Sequence, residues 1–309
     1  MPIPARYRRS MSRHEYRLVD VFTSPGARGG DARWMPTGNP LAVFPDARAI
    51  DPALMQSIAF ELNLSETTFV VPAERDDCDV RVRIFTPLSE MPMAGHPTLG
   101  TAFVLDRGER IVFEEGVGPV PVERRRASDG ATLWRMTQPR PRFGARPDDP
   151  SALAQALGLE AGDVDASLPA QLVATGVPFL MVPLRELGAL GRARLRPDLW
   201  AAIERRLGVG GAYLFALTEP GAARCRLFAP SSGILEDPAT GSAAGPLGAY
   251  LLAHGRLRAD HPARLDITQG VEMGRPSRIL VEVDGIRADI PAVHVAGACA
   301  SVGGGWLEI

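Results

Sequence analysis

Two short segments carry side chains whose types and spacing suit proton chemistry, Gly95-His96-Pro97 and Asp237-Pro238-Ala239-Thr240-Gly241-Ser242. Each opens a small-residue, apolar stretch that reads as a helix. A helix start leaves backbone N–H groups unpaired and carries partial positive charge, so it suits a substrate carboxylate. Gly95 and Gly241 let a ligand approach the backbone closely. His96 and Asp237 add titratable groups of the kind that transfer protons. Taken singly, Asp237 reads equally well as a helix cap and His96 as a satisfied loop residue.

Internal comparison lifts the pair above that bland reading. Arg83-Ile84-Phe85-Thr86-Pro87-Leu88-Ser89 lies over Arg226-Leu227-Phe228-Ala229-Pro230-Ser231-Ser232, with Arg, Phe, Pro and Ser coinciding. After a two-residue shortening, His96 to Ala102 lies over Asp237 to Ala243, which sets Gly100 against Gly241. Upstream, Thr37-Gly38-Asn39-Pro40 lies over Thr175-Gly176-Val177-Pro178. Similar segments in one order predict a duplication, with two αβ halves divided near residue 130. Packed about a pseudo-twofold axis, both helix starts would face one cleft.

The elements that must position these groups follow from periodicity and punctuation. Strands are expected at 16–24, 38–46, 66–72, 80–87, 110–115 and 117–124. Asp51 and Pro52 start a helix over 51–62, and a second, apolar helix covers 96–108. From residue 149 the order begins again: helices at 149–159, 196–208 and 240–255, strands at 171–184, 212–218 and 224–230, and a strand-rich end. The class is α+β. Residues 1–14 read as a disordered tail, with Met11 as a second possible start. The Gly-rich loop 24–37 is long enough to reshape a cleft, and 122–128 reads as a solvated turn between the halves.

Composition excludes several classes. All 34 basic residues are arginine and the net charge is −2, so neither nucleic acid nor an anionic membrane is an expected partner. Without lysine there is no Schiff base and no Walker A loop. The three cysteines lack metal or redox spacing and the five histidines are scattered, so no metal is expected. The glycine runs at 208–211 and 301–305 lack the setting of a dinucleotide site. No secretory signal or membrane span is recognised, and a cytoplasmic location is expected.

Four segments carry a resemblance: GNPLAVF (38–44), NLSETTFV (63–70), RIFTPLSEMPMAGHPTLGTA (83–102) and GILEDPATGSAAGPLGAYL (233–251). They resemble the PhzF family of phenazine-biosynthesis-type isomerases, which shares the diaminopimelate epimerase fold. The resemblance implies two domains, each a β-sheet curled around a central helix, here 15–130 and 131–309, with the last strands returning to the first. It implies that Glu66 is the catalytic acid/base and that His96 and Asp237 support it. Gly95, Gly241 and Ser242 would bind substrate. Diaminopimelate epimerases place a thiol at each helix start. His96 and Asp237 stand there instead, so a two-thiol racemase is not expected. By its own residues, Glu66 leaves a helix-breaking turn and opens a strand; a cleft-facing carboxylate and an exposed or capping one both fit. The expectation is a homodimeric, cofactor-independent isomerase that moves a proton between carbons of a small carboxylate-bearing amino or hydroxy acid. The alternatives are a cofactor-free amino-acid epimerase using Glu66 and a non-catalytic carboxylate-binding protein.

Overall fold

The computed structural model describes residues 12–24, 36–127, 130–258 and 262–309. The first run of strands is β1 (Arg13–Val21), β2 (Asn39–Phe44), β3 (Glu66–Val71), β4 (Val80–Phe85), β5 (Glu90–Met91), β6 (Arg110–Glu115), β7 (Gly118–Arg126) and β8 (Thr132–Gln138). Helix α1 (Pro52–Leu62) connects β2 to β3, and α2 (Gly95–Leu105) connects β5 to β6. The second run is β9 (Arg142–Phe143), β10 (Gln171–Ala174), β11 (Pro178–Pro183), β12 (Ala212–Glu219), β13 (Ala222–Ala229), β14 (Ile234–Asp237), β15 (Ala263–Gln269), β16 (Ser277–Val283) and β17 (Val293–Gly297). Helix α3 (Pro150–Ala156) follows β9, α4 (Leu187–Arg192) and α5 (Pro197–Leu207) follow β11, and α6 (Gly241–Ala253) follows β14. A last strand, β18 (Cys299–Glu308), ends the chain.

The two runs pair in the same order. The strands β1-β2-β3-β4-β6-β7-β8 match β10-β11-β12-β13-β15-β16-β17. The parallel pairs fall at the same places, β2 with β3 and β4 with β6 in one run, β11 with β12 and β13 with β15 in the other. The short β5 and β14 hang on β4 and β13. β18 pairs β1 as β9 pairs β10, and an antiparallel β8–β17 pairing joins the runs. The β7–β8 hairpin turns near residue 130, so the first run extends to Gln138 and also takes in β18.

Strands β8 and β16 alternate buried and half-exposed residues, the pattern of a sheet with one face on a core. The helices inside the curl show no such sidedness. Gly95 to Ala102 of α2 and Gly241 to Leu252 of α6 are all buried, as expected of a helix with apolar or small residues on every side. α2 packs on β1, β2, β3, β7 and β8; α6 packs on β10, β11, β15, β16 and β17. Their side chains belong to one continuous core. Helix α1 covers a smaller cluster in which Phe44 and Phe69 stack at 4.9 Å.

Three expectations need revision. Residues 12–14, placed in the tail, are ordered: β1 begins at Arg13, and the Ser12 N–H donates to the Ile309 carbonyl at 2.9 Å. Residues 1–11 of that tail lie outside the described residues, as do 25–35 of the loop 24–37. Residues 122–126 form the end of β7 rather than a turn, with Val122 buried between Ile111 and Met136. The third concerns the repeat. Thr67 lies opposite Phe85 and Ala212 opposite Phe228, so the match of Phe85 with Phe228 stands. The match of Gly100 with Gly241 does not, because Gly95 and Gly241 are the first residues of their helices. Met91 lies opposite Ile84, and Asp237 opposite Leu227. The helix entries therefore correspond as Met91-Pro92-Met93-Ala94-Gly95-His96 to Asp237-Pro238-Ala239-Thr240-Gly241-Ser242. Proline and glycine coincide in this register too, and Asp237 ends a strand instead of starting a helix.

Candidate active site

The starts of α2 and α6 abut. A Cβ added to Gly95 would lie 2.6 Å from the Gly241 Cα, and one added to Gly241 would lie 2.8 Å from the Phe22 ring. Both distances are shorter than real contacts allow, so glycine is required for this approach. Neither start has a side-chain cap. Ala94, which precedes α2, has no polar atom to offer. Thr240, which precedes α6, donates its hydroxyl to Asp237 Oδ2 at 2.5 Å instead. Two helix N-termini thus meet without local carboxylates or hydroxyls on their first N–H groups, a favourable place for an anion.

Asn39, the first residue of β2, ties the halves together. Its Nδ2 group donates to Asp237 Oδ1 at 2.8 Å and to the Ala239 carbonyl at 2.9 Å, and lies 3.1 Å from His96 Nδ1. Flipping the amide would set its oxygen against two acceptors, so the orientation is determined. The amide nitrogen has no lone pair to accept with, so His96 Nδ1 faces it without a proton, which puts the imidazole proton on Nε2. That nitrogen lies 3.3 Å from Glu66 Oε2. Among the described residues neither atom has another partner. His96 is 3 % exposed and Glu66 8 %, and burial pushes the imidazole down to about 3, so it is neutral.

The two carboxylates differ. Burial raises Asp237 to about 6, opposed by hydrogen bonds from Thr240, Asn39 and Ser65. Gln269 holds this arrangement. Its Nε2 donates to the Asp237 carbonyl and to Thr240 Oγ1, while its Oε1 accepts from the Thr240 N–H and the Tyr213 hydroxyl. Because Thr240 Oγ1 already accepts from Gln269, its own proton is committed to Asp237. Among the described residues Glu66 Oε2 has only the His96 Nε2–H near it, at 3.3 Å and without a formed hydrogen bond. Burial first, and then the charge on Asp237, push Glu66 well above the usual 4.5. When the pair carries a single proton, Glu66 holds it.

All six residues singled out from the sequence converge. Glu66 opens β3, Gly95 and His96 open α2, Asp237 ends β14, and Gly241 and the buried Ser242 open α6. Sequence reasoning missed Asn39, Ser65, Thr240 and Gln269. Asn39 and Thr240 stood inside the repeated segments and were passed over; Gln269 left no signal. Outside the site a hollow of about 370 Å³ lies between Asn63-Leu64-Ser65 and Gly233-Ile234-Leu235-Glu236. Leu88 and Gly233, on the equivalent β4–β5 and β13–β14 turns, touch at its margin. Among the described residues no helix is long and apolar enough to cross a membrane.

Residues 19–305 match the family model described as phenazine biosynthesis-like protein. The chain belongs to that family. It is 36 % identical over 306 residues to the trans-2,3-dihydro-3-hydroxyanthranilate isomerase of Pseudomonas fluorescens, covering 96 % of this chain and 100 % of the relative. A PhzF family phenazine biosynthesis protein from Bacillus anthracis superposes with a TM-score of 0.85 at 27 % identity, over 97 % of this chain and 100 % of the other. A hydroxyproline epimerase from Agrobacterium vitis shares the fold, with a TM-score of 0.64 at 13 % identity, over 96 % of this chain and 93 % of the other. This member of the phenazine biosynthesis-like family is a small-molecule isomerase.

Proposed function

We propose that this isomerase moves a proton between two carbons of a small carboxylate-bearing amino or hydroxy acid, with Glu66 as base and then acid. The observation that carries the reading is Glu66 itself, a buried carboxyl whose Oε2 has no hydrogen-bond partner among the described residues, beside an imidazole N–H and two uncapped helix starts. Its raised pKa makes it a stronger base once ionised. The His96 Nε2–H is placed to donate to that carboxylate, and the N–H groups of Gly95, His96, Gly241 and Ser242 are placed to receive the substrate carboxylate. Glu66 removes a proton made acidic by a neighbouring alkene or carboxylate. The electron pair passes into the conjugated system, where the helix starts stabilise the charge. The same proton then leaves Glu66 for the far carbon, and the carboxylate is regenerated without a co-reactant. The curated relative's substrate, by its name a dihydro-hydroxyanthranilate, carries the carboxylate this scheme holds and belongs to the amino and hydroxy acid class it proposes.

Solvent deuterium tests the reading. A panel of cyclic and acyclic amino and hydroxy acids with an allylic C–H, including trans-2,3-dihydro-3-hydroxyanthranilate, is incubated with the protein in D2O. Allylic isomerisation is expected to place or retain hydrogen at a carbon other than the one deprotonated. Label confined to the original stereocentre would make the protein an epimerase, and binding without exchange or turnover would make it a carboxylate-binding protein.

A further inference from the structure

Glu115 is another buried carboxyl of the first half, and the scheme above makes no use of it. It ends β6 with 6 % of its surface exposed, and its Oε2 has no partner among the described residues. Its Oε1 lies 2.5 Å from Thr98 Oγ1, in α2. The same hydroxyl lies 2.6 Å from the Ala94 carbonyl, at the entry to α2. One hydroxyl has one proton, and two contacts this short cannot share it. The carbonyl can only accept, so the threonine proton goes to Ala94. The contact with Glu115 then needs a proton from Glu115.

We propose that Glu115 is a positioning residue that stays protonated and, through Thr98, fixes the first turn of α2 and with it the N–H groups and imidazole at the reacting site. Its surroundings fit a neutral acid. The register partner of Glu115 on β7 is Gly118. Its neighbour Glu114 accepts from the backbone N–H groups of Glu74 and Arg75, and Arg81 of β4, opposite Glu114, pairs with Glu74. His96, the titratable group of the α2 entry, is neutral and faces Glu66. Burial alone pushes Glu115 up, to about 8, against a lowering by Thr98, and no charged group contributes. Ionisation would draw the Thr98 proton away from Ala94 and loosen the turn.

The role rests on the proposed function; the protonation does not, and the two are tested separately. Thermal unfolding of the full chain and of Glu115→Gln is followed from pH 5 to 9. An acid whose folded pKa exceeds its unfolded value gives stability that is complete below the unfolded pKa and is lost as pH rises through the folded one. The variant's advantage in Tm is therefore expected to grow from about pH 4.5 to about 8 and then level off. A gap independent of pH overturns the protonation. With a turned-over substrate, wild-type kcat is expected to fall above about pH 8, with Glu115→Gln losing that fall and keeping wild-type kcat at pH 7. An alkaline fall retained in the variant overturns the positioning role. Should the variant not fold, carbon-13 NMR of the wild-type Glu115 carboxyl decides: a midpoint near 8 supports the proposal, one near 4.5 overturns it.

Discussion

Asp237 accepts hydrogen bonds from Thr240, Asn39 and Ser65, whereas Glu66, in the same buried site, has an oxygen with no partner among the described residues. Burial raises both groups, but the three donors restrain Asp237 and its charge then drives Glu66 higher. The second half thus contributes a fixed negative charge and the first a proton free to move. Two halves with one strand order came to differ at matched positions: His96 stands where the other half has Ser242, and Met91 where the other has Asp237. The halves share the frame, and the differences leave two unlike carboxyls in one buried site. Environments that push two titratable groups apart are how one site gains distinct acid and base roles.

The comparison breaks most sharply at Glu66. Positioned acid–base catalysis contributes about 10²- to 10⁴-fold, so Glu66→Gln is expected to lower turnover by that range while a substrate carboxylate still binds. Steady-state kinetics paired with calorimetric titration checks it, and wild-type turnover in the variant would move the role to another group. Gly95→Ala attacks the frame instead. The new Cβ would sit 2.6 Å from the Gly241 backbone, and overpacking of this kind costs about 1–3 kcal/mol. Denaturant unfolding should show that loss; an undiminished midpoint would mean that the helix starts do not abut in solution. The mildest change is Asp237→Asn. Glu66 must ionise to act as base, so activity should rise with pH through its pKa. Removing the charge that helps raise that pKa should move the acidic limb to lower pH. A limb that stays in place would show that burial alone sets the pKa of Glu66.

Much of this was legible in advance because strand alternation and small-residue helices are local signals. The β4 and β13 segments announced themselves as repeats, and Thr37-Gly38 and Thr175-Gly176 do hold matching buried threonines followed by positive-φ glycines. The helix entries were aligned in the wrong register for a physical reason. A helix packed on every side needs small residues along its length, so α2 has glycines at both 95 and 100, and each finds a plausible partner in Gly241. The strand pairings of β5 and β14 and the two helix starts distinguish them, and such contacts between segments leave no local trace. Gln269 was invisible for the same reason, lying far along the chain from the threonine it orients. Nothing in the residues of the 110–115 strand sets Glu115 apart; its significance comes from sharing Thr98 with Ala94.

The pairing of β1 with β18 has a consequence for how the molecule is made. In the second half, β10 finds its outer neighbour β9 earlier in the same stretch of chain. In the first half, β1 must wait for residues 299–308 to leave the ribosome. The half that emerges first is therefore the last to be completed, with one strand edge open throughout synthesis. An open edge is a template for pairing with other chains. Translation arrested before Cys299 would leave the whole complement of site residues already made, yet release a chain with its first sheet unclosed and prone to aggregate.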